Sequence, residues 1–294
     1  MKAKNIFTYT FIVLGVLIAF SSCTEEFTPD LDTTYARLVV DGGITTDTAI
    51  QRITLFRSGD PLNQLPKKAV SNAIVTISDG STILTLTENT STPGFYETSE
   101  KVYGVPGKKY TLIIANVDID EDGNFENYTA SSYLKAINPI DSIKIISQNY
   151  SSRQKGWLIN MFTRDIGGRS FYCVKAYKNN KLITDSLREY GIANNIGFEG
   201  AYYPGISVYY LNNDKSDEKV AAGDTITLEL NGITEEYFNF INGCLAESRP
   251  KDPIFSGPSA NVITNISPAD KAMGFFKVYS IRKKTAIYKG DTSR

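Results

Sequence analysis

The chain of 294 residues carries 31 basic and 32 acidic side chains, a net charge of −1, and no histidine. That balance offers no broad basic face for nucleic acid, and the missing imidazole excludes Ser-His-Asp and Cys-His catalysis and histidine-ligated zinc. Apolar residues make up 41% of the chain, and 18 Tyr and 15 Phe stand against one Trp; such rings suit half-buried strands and contact surfaces alike.

Lys2 and Lys4 precede the apolar run IFTYTFIVLGVLIAF. The run is shorter than the roughly 20 apolar residues that a bilayer span needs. A basic start, a short apolar centre and small residues before a cleavage site describe a secretory signal peptide, placed at residues 1–22. Ser21, Ser22 and Cys23 resemble a bacterial lipobox, with Phe20 where leucine is usual. Lipidation is therefore expected at Cys23, and several acyl chains together make such an anchor effectively permanent. Glu25 and Glu26 resemble the export signal that sends lipoproteins to the outer face of the outer membrane. Residues 23–36 are polar, include Pro29, and read as a flexible tether.

From residue 37 to 138 the signals are strand and turn. RLVVDGGI reads as a β run broken by Gly42 and Gly43. In QRITLFRS, Ile53 and Leu55 point one way. AIVTISDGSTILTLTEN reads as a hairpin about Asp79 and Gly80, and Pro106-Gly107 marks a further turn before a strand from Tyr110 to Ala115. Short strands at this spacing predict an immunoglobulin-like or prealbumin-like β-sandwich. Within it, Asp118, Asp120 and Asp122 precede Gly123 at calcium-loop spacing, with Asn124 placed to offer a backbone carbonyl. Thr129 stands where an EF-hand needs its bidentate glutamate, and the flanks read as strands, so both observations count against an EF-hand. Two readings stay open there: a solvated acidic hairpin tip and a weak calcium loop.

Asn138-Pro139 reads as a boundary, with a new strand from Ser142. Residues 139–294 are predicted as a second β-rich domain with one short helix. Thr234 caps that helix, Glu235 and Glu236 favour its positive end, and Phe238, Ile241 and Leu245 form a core-packing stripe. Gly274 to Ile281 is expected as a closing strand. Cys173 and Cys244 suit either one disulfide or two separate buried thiols. Tyr190, Phe198, Tyr202, Tyr203, Tyr209 and Tyr210 lie among Gly and Asn and are the candidate ligand contacts, since rigid rings on such loops make adaptable surfaces. The alternative is that half of these rings fill the second core. The acids are scattered and single out no catalytic pair, so no enzyme is predicted.

The ordered set of the lipobox, VVDGGI, VSNAIVTISDG, PGFYE, GKKYTLII, PIDSI and the DPIFSGPSANVITNI…MGFFKVYSI tail resembles the Bacteroidota outer-membrane lipoprotein family catalogued as domain of unknown function 4249. The acidic stretch DIDEDGNFEN is an insert beside that pattern. The resemblance implies an envelope accessory associated with a TonB-dependent transporter and carries no catalytic residue or cofactor across; the acidic pair Glu25 and Glu26 adds the expectation that it faces the cell exterior. A structural or adhesive surface lipoprotein without a small ligand is the alternative.

Overall fold

The computed structural model describes residues 36–59, 68–149, 155–249 and 262–290. The protein is mainly β, with one α-helix among the described residues. The first eight strands are β1 (Leu38–Thr45), β2 (Arg52–Arg57), β3 (Lys68–Ala69), β4 (Ile74–Ser78), β5 (Ile83–Glu88), β6 (Phe95–Thr98), β7 (Lys109–Val117) and β8 (Glu126–Tyr133). Their alternation sets the sandwich. β7 buries Tyr110, Leu112 and Ile114, and β8 buries Tyr128, Ala130 and Ser132, while the residues between them face outward. Ile53 and Leu55 of β2 are fully buried, as their spacing predicts. Asp79 shapes the β4–β5 turn through its carboxylate, which accepts from the amides of Ser81 and Thr82.

The second run comprises β9 (Ser142–Asn149), β10 (Lys155–Arg164), β11 (Phe171–Lys178), β12 (Lys181–Leu182), β13 (Gly191–Asn194), β14 (Tyr202–Asn212) and β15 (Thr225–Ile233). Helix α1 (Glu235–Glu247), β16 (Ile266–Ser267) and β17 (Ala272–Ile287) complete the chain. Strands β9, β10 and β14 make a three-stranded sheet, with β10 central. That sheet packs on β11 and β15 through a core that includes Ile159, Met161, Val174 and Leu228. Thr234 caps α1 by accepting from the Tyr237 amide, and Phe238, Ile241 and Leu245 pack on Phe171 as the stripe predicts. Among the described residues no helix is long and apolar enough to cross a membrane.

β17 runs eight residues longer than the predicted closing strand and joins both halves. Its first part pairs parallel with β1, from Leu38↔Ala272 to Thr45↔Tyr279. Its second part pairs antiparallel with β15, from Gly232↔Ser280 to Thr225↔Ile287. One sheet therefore runs β12-β11-β15-β17-β1-β2-β6-β5-β4-β7-β8-β16. The core built on residues 38–134 also takes Ile266, Phe276 and Val278 from the tail. Residues 34–294 thus form one unit by their contacts, in place of the two predicted domains.

Gly42 and Gly43 do not break β1. The strand runs through them. A Cβ on Gly43 would lie 1.6 Å from the Lys277 carbonyl oxygen, and one on Gly274 would lie 2.0 Å from that of Val40. Glycine is required at both places because two backbones meet there.

Candidate functional site

The predicted contact rings do not form one surface. Tyr190 packs beside the Phe171–Ile241 core, with the Lys175 ammonium 4.8 Å from its ring. Tyr209 packs on the second core. Tyr210 lies over Gly156, where a Cβ would meet its ring at 2.5 Å. Bulges opposite Ile159/Asn160 and Met161/Phe162 separate these rings from Tyr202 and Tyr203 at the far end of β14. Phe198, Tyr202 and Tyr203 gather at the loop from Asn195 to Ala201 and the start of β14.

That loop is joined to the β10–β11 loop, residues 165–170, by one buried carboxylate. Asp165 is 5% exposed. Its Oδ1 accepts from the Tyr172 hydroxyl at 2.5 Å. Its Oδ2 accepts from the Gly167 amide at 2.8 Å and from the Gly200 amide and Asn195 Nδ2, both at 2.9 Å. The Asp165 amide reaches the Ala201 carbonyl, and the Ser170 amide donates to Asn195 Oδ1 at 2.7 Å. Burial acts to raise the Asp165 carboxyl, but these donors outweigh it and hold the group below the usual carboxylate range. Its acceptor capacity is filled by the protein itself. Asp165 therefore works as a clamp and is not a free base.

The clamp holds apolar side chains in water. Ile166 is 44% exposed, Ile196 52%, Phe198 63% and Tyr202 44%. The Arg164 guanidinium lies 5.8 Å from the Tyr202 ring and donates to the Gly200 carbonyl. Asp165, Asn195 and Tyr172 were not legible as functional residues. The only sequence hint is an Asp before Gly-Gly in RDIGGRS, which reads equally as an ordinary turn.

At the β7–β8 turn, ligand oxygens of Asp118, Asp120 and Asp122 lie within 4.8 Å of one another. Ile119 between them is buried in the first core and pins the loop. Asp118 accepts from the amides of Asp122 and Gly123, both at 3.1 Å. Asp122 accepts from the Asn124 amide and side chain, which hold its carboxyl below the usual range. The Asn124 side chain is thus turned to Asp122. Cys173 is buried and Cys244 half-buried, and both are free thiols with no bond between them. Cys23, Glu25 and Glu26 lie outside the described residues.

No curated protein matches the chain in sequence. Among solved structures, it is similar to the chicken CNTN1 FN1–FN3 domains at 15% identity and a TM-score of 0.26. That alignment covers 66% of this chain and 57% of the chicken one, so the chain spans little more than half of that relative. The profile of the family described as domain of unknown function (DUF4249) matches residues 24–285. With a match running from the predicted tether into β17, the protein belongs to the DUF4249 family.

Proposed function

We propose that the protein is an outer-membrane lipoprotein, anchored through Cys23 and turned outward by Glu25 and Glu26, that contacts a partner through the clamped apolar tip. A TonB-dependent transporter is the partner implied by the sequence resemblance. The observation that carries the reading is the exposure of Ile166, Phe198 and Tyr202 on loops tied by Asp165. A fixed apolar tip loses little conformational entropy on binding, which favours association over a mobile loop of the same composition. The role is one of binding, without a reaction.

The test is capture from outer membranes, comparing the native chain with Phe198→Ser/Tyr202→Ser. The native chain is expected to bring down a β-barrel partner, and the variant to lose it while staying membrane-bound. Capture of no barrel by the native chain, or equal capture by both, refutes the reading and leaves a structural or adhesive surface role.

A second reading concerns calcium, favoured by the convergence of Asp118, Asp120 and Asp122. An extracellular-type loop binds with a Kd of about 10⁻⁴ to 10⁻³ M. At 10 mM calcium and a Kd near 1 mM, mass action stabilises the fold by about 1.4 kcal/mol. That raises Tm by roughly 3–6 °C for a chain of this size. Asp120→Ala should abolish the rise at constant ionic strength. The same rise in both proteins, or none in either, leaves a solvated acidic turn.

A further inference from the structure

Behind the clamped tip, the two sheets of the second half part to leave a cavity of about 70 Å³. Its walls are mostly apolar: Met161, Val174, Val208 and Leu230 line it, with Ala193 among the residues around them, and Arg164 and Asp165 add a polar side. Two strand edges bound it. Among the described residues β13 pairs with β11 alone, and β14 pairs with β10 alone. At one end these edges touch, since a Cβ on Gly191 would lie 3.4 Å from the Val208 carbonyl oxygen. Toward Asn194 and Tyr203 the cavity lies between them. Ala193 and Asn194 are exposed, as is Ile206 on the facing strand.

We propose that this seam binds an extended segment of a partner protein, which adds a strand to an open edge and seats one aliphatic side chain in the cavity. The inference rests on the binding role proposed above and names the chemistry of what is bound. Three observations select the occupant. Open strand edges offer backbone donors and acceptors in a row, the recognition element of strand addition. The hole is about half the volume of an apolar cavity that accepts benzene, roughly 150 Å³, so it suits a valine or leucine side chain and excludes indole. The carboxylate beside it, Asp165, is already satisfied by four donors. The Arg164 cation that also lines the cavity is engaged by the Gly200 carbonyl and the Tyr202 ring, so a side chain seated there meets no carboxylate in want of a partner.

The experiment uses the full lipidated chain in nanodiscs and fluorescein-labelled, amidated threonine pentapeptides with a central glycine, valine, leucine or tryptophan. Anisotropy should show saturable binding of the valine and leucine peptides, roughly tenfold or more tighter than the other two. Hydrogen exchange should slow over residues 191–194 or 202–209. Ala193→Phe, which fills the mouth, should weaken valine-peptide binding about tenfold or more without lowering Tm, as should Ile206→Asp at an exposed position. Equal affinity for all four peptides, no saturable binding, or full binding by both variants overturns the proposal. A concentration-dependent dimer lost in Ala193→Phe would assign the seam to a second copy and also overturn it. Phe198→Ser separates the two readings: it should keep peptide affinity while losing barrel capture. If the native chain captures no barrel but binds the valine peptide, the transporter reading falls and the groove stands; the reverse result removes the groove alone.

Discussion

Replacing Asp165 with alanine removes one acceptor group from four donors at once. The donors differ in their access to water. Asn195 is 1% exposed and the Tyr172 hydroxyl is enclosed between the sheets, whereas the Gly167 and Gly200 amides sit in surface loops and can rehydrate. Asn195 Nδ2 also keeps the Gly168 carbonyl at 2.7 Å. An enclosed donor left without a partner costs about 1–3 kcal/mol, so two of them put the loss at about 2–6 kcal/mol, toward the lower end because Asn195 keeps the Gly168 carbonyl. Asp165→Asn should cost less, about 1–2 kcal/mol, because its oxygen still accepts from the glycine amides while its nitrogen donates to the tyrosine oxygen. The assay is the urea midpoint together with amide exchange over residues 165–170 and 195–201. Both loops should exchange faster in the alanine variant, in step with the fall in midpoint. Unchanged exchange and midpoint would refute the clamp and with it the claim of a fixed tip. The pH dependence has a defined sign. A carboxyl held below its unfolded value stabilises the fold above a pH of about 4, and that stabilisation is lost as pH falls through the lower folded value. The asparagine variant should lack that part of the acid dependence.

The remaining expectations are briefer. Burial pushes the Cys173 thiol up to about 11, so at pH 8 only about one thiol in a thousand is thiolate. Iodoacetamide should modify half-buried Cys244 first and Cys173 only on unfolding; equal rates in the intact mass would contradict this. Gly43→Ala should lower stability by about 3 kcal/mol or more, because β1 and β17 must part to admit the methyl group; a native urea midpoint would show that the strands give way freely. Cys23→Ala should move the protein from the membrane to the soluble fraction and abolish acyl labelling, and a variant that stays membrane-bound counts against the anchor.

Local alternation made most of the strands legible, and a cap with an i, i+3/i+4 stripe made the helix legible. Ile53, Leu55, Thr234 and Ile241 all lie where those rules place them. What failed depended on partners remote in sequence. A glycine pair inside a β run signals either a break or a close backbone approach, and only the Lys277 carbonyl beside Gly43 decides between them. Asp165 reads as a turn residue until Asn195 and Gly200 are brought to it. The aromatic stretch was misleading as a unit because the bulged β14 spreads its rings along the strand, some into the core and some into water.

The same remoteness explains why a boundary near Asn138 does not make two separable bodies. Residues 38–134 carry the strand pattern of a sandwich, yet their core is closed by Phe276 and Val278, and β1 has β17 as one of its two neighbours. β15 depends on the same strand for one of its ladders. A chain ending at Lys271 would therefore expose an edge on each half and open the first core at Phe276, which is fully buried. Such a truncation is expected to aggregate and to yield no protease-resistant fragment from either half. A stable fragment covering residues 37–138 would show that the first core closes without the tail, and that β17 clasps two finished units instead of completing them.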